Sequence, residues 1–459
     1  MAKPDLLNEK EKQLILGDKL STVFWKLAIP SLIGAVFMGM NNFLDGIFVG
    51  RFINANALAG VSLGFLLSMI VIGIGNMVGN GAGTALSIML GANDTSKQQR
   101  LLGNVNTSAL IFSIIYFIPA YIFAEDLIGI MGGTGQILEY GTQYFRNTVL
   151  GSVFLVYSLS LTNIIRGEGK LKLVTIIMAI GLLADVVMKF LFIKVLGWGV
   201  VGAAWATNFT MLLYCLISLG YFALGKATFK SKMFAFYFDK AQQKQILVLG
   251  FANLIFLAMN VVQGLVVFNM IAKYGTEKDM GFYSAAFRTT FILMTPTLGI
   301  MKALQPVIGM NYGAKQYDRV KEAFSVFVKY NLMILAPIWL FMMVFTNTFI
   351  GSMLEEGAYT FRDIVFFRVN IAAVLLQPFI MLSLGLLPSI ERGKEAGMVA
   401  MLNQVILFFP LMLVLPPLFG VHSIYWGSTI IALVVFFALA LMVRKQFSKL
   451  ILQPSEIND

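Results

Sequence analysis

The sequence predicts an all-α polytopic membrane protein with twelve transmembrane helices in two pseudo-symmetric six-helix lobes, and three observations carry that reading. Of 459 residues, 58% are apolar and 12% charged, whereas a soluble domain carries about a quarter charged residues. Apolar stretches recur along the whole chain at lengths near the roughly 20 residues that a helix needs to cross a bilayer. Landmarks in the first half also return in the second at a nearly constant offset.

The stretches lie near residues 23–50, 57–90, 104–124, 137–163, 173–196 and 199–224, then near 245–272, 281–310, 325–353, 364–390, 397–418 and 424–443. They divide the chain into an N-terminal segment (1–22), a first lobe (23–224), a connection (225–244), a second lobe (245–443) and a tail (444–459). The first twenty residues alternate charges and lack the short apolar core and small-residue cleavage site of a signal peptide, so the first helix is expected to stay in the chain.

The net charge is +11, and its distribution decides what it means. With the N-terminus inside, the inward segments hold 22 Lys and Arg, among them Lys3, Lys97, Arg100, Lys230, Lys232 and Arg319, against 5 outside (Arg51, Lys194, Lys273, Lys278 and Arg362). That asymmetry follows the positive-inside rule. It places both termini in the cytoplasm, fits a multi-pass protein of the plasma (bacterial inner) membrane, and leaves no charge that calls for nucleic acid. A single cysteine (Cys215) and a single histidine (His422) argue against a disulfide, a His- or Cys-rich metal cluster and a metal-dependent enzyme, so neither a metal nor a cofactor is expected.

The repeat rests on three pairs of landmarks. GNGAGTALSIMLGANDTSKQQR ends the second helix much as VIGMNYGAKQYDRVKEAF ends the eighth, with Gly91 and Gly313 separated by 222 residues. RGEGK from Arg166 faces RGKEA from Arg392, and GVVGAAW ending at Trp205 faces GVHSIYW ending at Trp426. Six helices per copy, an even number, send both copies into the membrane in the same direction. The lobes are then related by an axis along the membrane normal, and transporters place substrates at such repeat interfaces.

A charge at the bilayer centre costs roughly 2.5–3.5 kcal/mol on insertion scales, so ionisable residues inside helices are functional candidates. Only Asp45 in helix 1 and Asp185 in helix 5 are carboxylates well inside helices. Counted from the outer helix ends, Asp45 lies five residues in, Lys189 seven and Asp185 eleven; Thr207 in helix 6 and Tyr144 in helix 4 fall at similar depths. These five residues form the candidate coupling site. Pro30 shares helix 1 with Asp45 and removes a backbone donor there, which makes it a candidate hinge.

LQPVIGMNYGAKQYDRVKEAF, IIRGEGK, LGWGVVGAAWAT and AIPSLIG through NNFLDGIFVG together resemble the MATE (multidrug and toxic compound extrusion) family, prokaryotic DinF-like branch, of the multidrug/oligosaccharidyl-lipid/polysaccharide exporter superfamily. The resemblance runs over nearly the whole chain. It implies two lobes around a central cavity, alternating access, and antiport of amphipathic compounds against sodium ions or protons. It also implies a helix 1 Asp fifteen residues after a proline, where Asp45 stands after Pro30, and a helix 6 Thr at the position of Thr207.

One departure stands out. The family's helix 5 pattern is Asn followed one turn later by Asp, and alignment on LGWGVVGAA puts Asp185 at the Asn and Lys189 at the Asp. Asp185 and Lys189 are spaced i, i+4 with the acid first, a favourable helix pair, and an ammonium stands where a carboxylate belongs. Proton coupling through Asp45 or Asp185 is therefore expected over sodium coupling. The second lobe lacks the helix 7 and helix 10 carboxylates of relatives and offers Arg288, Lys302 and Arg368 instead, so organic dications fit it poorly. Asn163, Arg288, Gln263, Asn260 and Gln377 are the candidate substrate contacts. The expected partners are the lipid bilayer and an amphipathic small-molecule substrate, with a flipped lipid or lipid-linked saccharide as the alternative, and the chain is expected to act as a monomer.

Overall fold

A computed structural model describes residues 10–351 and 359–451. Lys3, residues 352–353 of the expected ninth span and the last eight residues of the tail lie outside the described residues. All regular structure among the described residues is helical. Eleven helices are long and apolar enough to cross a membrane, or twelve when one bent pair is taken as a single span.

The spans are α1 (Leu20–Phe52), α2 (Ala55–Gly91), α3 (Thr95–Ile122), α4 (Gly135–Leu150 and Ser152–Gly167), α5 (Leu171–Val195) and α6 (Gly199–Ala223), followed by α7 (Lys240–Tyr274), α8 (Glu277–Gly313), α9 (Tyr317–Val344), α10 (Phe361–Ser389), α11 (Gly393–Phe419) and α12 (Ser423–Ile451). Several run past the apolar stretch that announces them. α7 starts at Lys240 rather than near 245 because the Asp239 carboxylate caps it, accepting from the amides of Ala241 (3.0 Å) and Gln242 (3.3 Å). The connection between the lobes is shorter than expected by those residues.

α4 is broken at Gly151, where its two segments meet at 55°. Asn208 of α6 occupies the break: its Nδ2 donates to the Asn147 carbonyl at 2.8 Å, and a Cβ at position 151 would lie 2.1 Å from its Oδ1. A side chain inserted into the helical ladder thus satisfies a carbonyl that the bend frees, as hydrocarbon surroundings require.

The repeat landmarks prove to be points of close backbone approach. A Cβ on Gly91 would lie 2.0 Å from the Met310 carbonyl oxygen, and one on Gly313 would lie 2.0 Å from that of Ile88. The two contacts exchange under the 222-residue offset, so the ends of α2 and α8 cross on the pseudo-twofold axis. Gly250 against Met77 (1.8 Å) and Gly81 against Ile246 (2.0 Å) bring α7 onto α2 in the same way.

The RGEGK landmark also explains itself. Gly167 abuts Gly83, and Gly169 adopts φ +82° beside Ile15. Glu168 is buried and accepts from the Tyr221 hydroxyl (2.7 Å) and from the Thr228 amide and hydroxyl (both 2.9 Å), with Lys170 at 3.4 Å. Burial pushes the Glu168 carboxyl above the ordinary carboxylate range, while Lys170 and these donors pull it back.

The face that carries the N-terminal helix (Lys10–Gly17) gathers the connections after α2, α4, α6 and α8. We call it the basic face and its opposite the far face. The Ile15 carbonyl accepts from Asn311 (3.4 Å) and Arg319 (3.0 Å), and Lys12 donates to Asn93 (2.6 Å). Across the lobes, Asn104 donates to Gln242 (2.6 Å), Gln243 donates to the Asn104 carbonyl (2.8 Å), and near mid-membrane Asn80 donates to Asn253 (3.1 Å).

The large apolar cluster built on Met77, Leu86, Ile246, Leu304 and Phe327 spans both lobes. The clusters nearer the far face, around Phe48 and Val200 or Phe282 and Tyr425, each stay within one lobe. The lobes are therefore sealed together in the basic half.

Gly313→Val drives methyl groups into the Ile88 carbonyl. It is expected to lower the thermal unfolding temperature of the detergent-solubilised protein, whereas Gly39→Val, where nothing lies within 4 Å of the added Cβ, is expected to leave it unchanged.

Candidate functional site

The site lies in the first lobe toward the far face, where α1, α5 and α6 converge. Lys189 sits at the end of the α-helical part of α5, immediately before a π-helical stretch, Phe190–Val195. Such local widening is common at functional positions. The Lys189 ammonium donates to Asp45 of α1 and to Asp185 one turn earlier in α5. The Lys189 and Asp185 side chains are each 2% exposed and Asp45 is 21% exposed, so the triad is sealed at Asp185 and open at Asp45.

Two carboxylates around one ammonium leave a formal charge of −1 in a site of low dielectric. Their mutual attraction offsets a desolvation cost that neither sign could bear alone. Asp185 has one further donor, the Thr210 hydroxyl of α6 at 3.3 Å.

Of the five expected residues, the structure brings together Asp45, Asp185 and Lys189. Thr207 is not joined to them: its hydroxyl turns back to the Ala203 carbonyl at 3.3 Å, and Thr210 is the threonine that reaches Asp185. A signal for Thr210 existed, since α5 and α6 are antiparallel and Thr210 lies eleven residues from Gly199, the depth already counted for Asp185. Tyr144 is buried beside the triad in the cluster of Phe48, Val49, Val186 and Val200. It supplies packing, and among the described residues its hydroxyl makes no hydrogen bond to the triad.

The Pro30 carbonyl accepts from the Thr175 hydroxyl at 2.7 Å, which ties the basic half of α1 to α5. α1 is therefore held to α5 twice, at Pro30 and at Asp45.

The five candidate substrate contacts are not brought into one site. Asn163 is buried near the basic end of α4, where it donates to the Leu159 carbonyl (2.8 Å) and accepts from Arg166. Gln263 donates to the Gln404 carbonyl of α11 (3.0 Å) and Asn260 to the Phe256 carbonyl of its own helix (2.6 Å). Gln377 follows a 3₁₀ stretch in α10 with its Oε1 buried and unpaired among the described residues, and Arg288 is exposed. Amides in helices are as readily spent on neighbouring carbonyls as on ligands, so their residue type alone did not mark a pocket.

Sequence reasoning also missed a cluster at the far face of the second lobe. His422 Nε2 lies 2.6 Å from Asp363 Oδ1, and ligand atoms of Asp279, Asp363 and His422 all fall within 4.8 Å of one another. A metal ion would find donors there. Asp279 and Asp363 already work as capping-box residues for α8 and α10, each through its Oδ2, and His422 ties the start of α10 to the connection before α12.

The MatE family model matches residues 30–191 and 249–415, most of both lobes. The chain belongs to the MatE family. Members of this family are membrane transporters and not enzymes. The chain is 25% identical over 459 residues to the multidrug export protein MepA of Staphylococcus saprophyticus, covering 98% of this chain and 99% of that protein. It is 24% identical over 428 residues to MepA of Staphylococcus haemolyticus, covering 92% and 93%.

Among solved structures, it superposes with TM-score 0.88 on the outward-facing conformation of a multidrug resistance MATE family transporter of the MOP superfamily, at 23% identity and covering 96% of this chain and 98% of that one. A MOP superfamily transporter from Pyrococcus furiosus, in which reverse polarity of the binding pocket suggests a different function, also superposes at 0.88, with 23% identity and 96% and 98% covered. These likenesses establish the two-lobed fold.

Removing the ammonium leaves two carboxylates facing one another. Lys189→Met is expected to cost about 3–5 kcal/mol of stability, the usual scale for breaking a buried ion pair, with part regained in Lys189→Met/Asp185→Asn; thermal unfolding in detergent reads both. Thr210→Val is expected to shift the pH profile of transport, whereas Thr207→Val leaves it in place.

Proposed function

We propose that this MatE-family chain is a proton-coupled secondary exporter of amphipathic small molecules, working as a monomer by alternating access in the plasma membrane with its basic face in the cytoplasm. The observation that carries the reading is the Lys189 ammonium held by both Asp45 and Asp185. A fixed cation already occupies the space between the carboxylates that a sodium ion would need, so the exchangeable particle that remains is a proton.

The chemistry follows from the unequal exposure of the two acids. Asp45 is the carboxylate that water reaches, and a proton arriving from the far face binds it first. Protonation removes the charge that holds Lys189 to α1, while Lys189 stays with Asp185. α1 then loses its far tether to α5 and keeps the one at Pro30, where the helix lacks a backbone donor and bends most easily. Bending there changes the space between the lobes, which are sealed in the basic half and not in the far half. The arrangement supports a state open to the far face, in which a proton is exchanged for a substrate leaving the cell. Multidrug export by the MepA relatives supports amphipathic drugs as the cargo.

A lipid or lipid-linked saccharide is the second reading, favoured by Arg166 in α4 and Lys302 in α8. These cations lie in opposite lobes and make no ion pair among the described residues. The reversed pocket polarity of the Pyrococcus furiosus transporter is a parallel for such a site.

Reconstituted transport with proton and sodium gradients imposed separately tests the proposal. The wild type is expected to follow the proton gradient and ignore sodium, and Asp45→Asn is expected to abolish coupled transport. Lys189→Asp, which opens a cation position, is expected to gain sodium dependence. Transport that requires sodium and ignores pH would sink the proposal, and lipid translocation without any ion gradient would favour the second reading.

A further inference from the structure

The connection between the lobes has a pattern that transport does not use. From Ser231 to Lys240, exposure alternates residue by residue, with Lys232, Phe234, Phe236, Phe238 and Lys240 outward and Ser231, Met233, Ala235, Tyr237 and Asp239 inward. The outward phenylalanines are 74%, 62% and 70% exposed. Three rings presented side by side to water would be a costly surface.

The inward side shows where the segment lies. Asn106 of α3 donates to the carbonyls of Met233 (2.8 Å) and Ala235 (2.9 Å) while accepting from the Tyr157 hydroxyl (2.7 Å). The Tyr237 amide donates to the Gly103 carbonyl (3.1 Å), the Tyr237 ring leaves no room for a Cβ at Gly103, and the Ser231 hydroxyl donates to the Gln99 carbonyl (2.7 Å). The segment therefore runs beside residues 99–106 of α3. One turn further along, Leu110, Ile111, Ile114 and Ile115 are exposed on the same helix, as a surface facing lipid chains would be. The strap lies at the edge of the hydrocarbon, and Asn106 supplies the donors that its carbonyls lack there.

At the headgroup level, a cleft is lined by Gln99, Arg100, Lys230, Ser231, Lys232, Tyr237, Phe238 and Asp239. Three cations face one carboxylate, Asp239, which lies 3.9 Å from Arg100. We propose that this cleft binds the headgroup of an anionic glycerophospholipid, with Phe234, Phe236 and Phe238 buried among its acyl chains. Cations in the cleft and rings along the outward side of the strap match the two ends of one lipid molecule. They also match the leaflet that carries anionic lipid on the basic side of a membrane.

Native mass spectrometry of the full-length protein, with phosphatidylglycerol and phosphatidylcholine offered in equal amounts, tests it. Wild type is expected to retain phosphatidylglycerol with a preference on the order of tenfold. Arg100→Gln/Lys230→Gln/Lys232→Gln is expected to lose the preference, and Phe234→Ser/Phe236→Ser/Phe238→Ser to lose retention. In unmodified protein, raising the salt from about 0.1 M to about 1 M is expected to strip the preference, a readout that needs no variant to fold. Equal retention of the two lipids by wild type, an unchanged preference in the glutamine variant, or displacement by millimolar glycerol 3-phosphate would each overturn the proposal; the last would assign the cleft to a soluble phosphate.

Discussion

Hydrocarbon offers a polar group nothing to bond to, so a donor, acceptor or charge taken out of water is costly unless another part of the chain answers it. The break in α4 exists because Asn208 answers the carbonyl it frees, and Gly151 leaves the room. The strap between the lobes lies at the membrane edge because Asn106 answers two of its carbonyls. Asp45 and Asp185 can sit inside helices because Lys189 answers both. These local features share this cause, and each joins segments from different parts of the chain.

The same constraint underlies the proposed switch. A buried charge with a single partner is held firmly, and a charge shared between two partners can be released from one while it keeps the other. Lys189 is shared between α1 and α5, and the partner on α1 is the one within reach of water. The site therefore has a side from which it can be changed and a side that stays fixed. Glycine contacts at Gly81, Gly91, Gly250 and Gly313 bring backbones together in the basic half and leave the far half to apolar clusters that do not cross between lobes. In the proposed cycle, a local change in the tie between α1 and α5 acts on this far half.

Much of this was legible in the chain. Helix number and the twofold repeat follow from apolar length and from the spacing of Gly91 and Gly313, because a bilayer imposes length and a duplicated lobe preserves its close contacts. Asp45, Asp185 and Lys189 were legible because charges inside apolar helices are rare enough to be noticed one by one. That Thr210 rather than Thr207 bonds Asp185 was not legible, because a hydroxyl can bond either its own helix or a neighbour, and residue type does not say which. That the amides of the second lobe lie apart was not legible for the same reason.

The sequence by itself determined that the chain crosses a membrane about twelve times, that its halves are related, and that three ionisable residues share a depth in the first lobe. These are matters of apolar length and of counting along single helices. Only the tertiary structure decided that one ammonium joins both carboxylates, that Thr210 is their hydroxyl partner, that Asn208 breaks α4, and that the charged connection lies along α3 with its phenylalanines outward. Each of these depends on which faces of different helices meet, and that is set by backbone approach at glycines far away in the sequence.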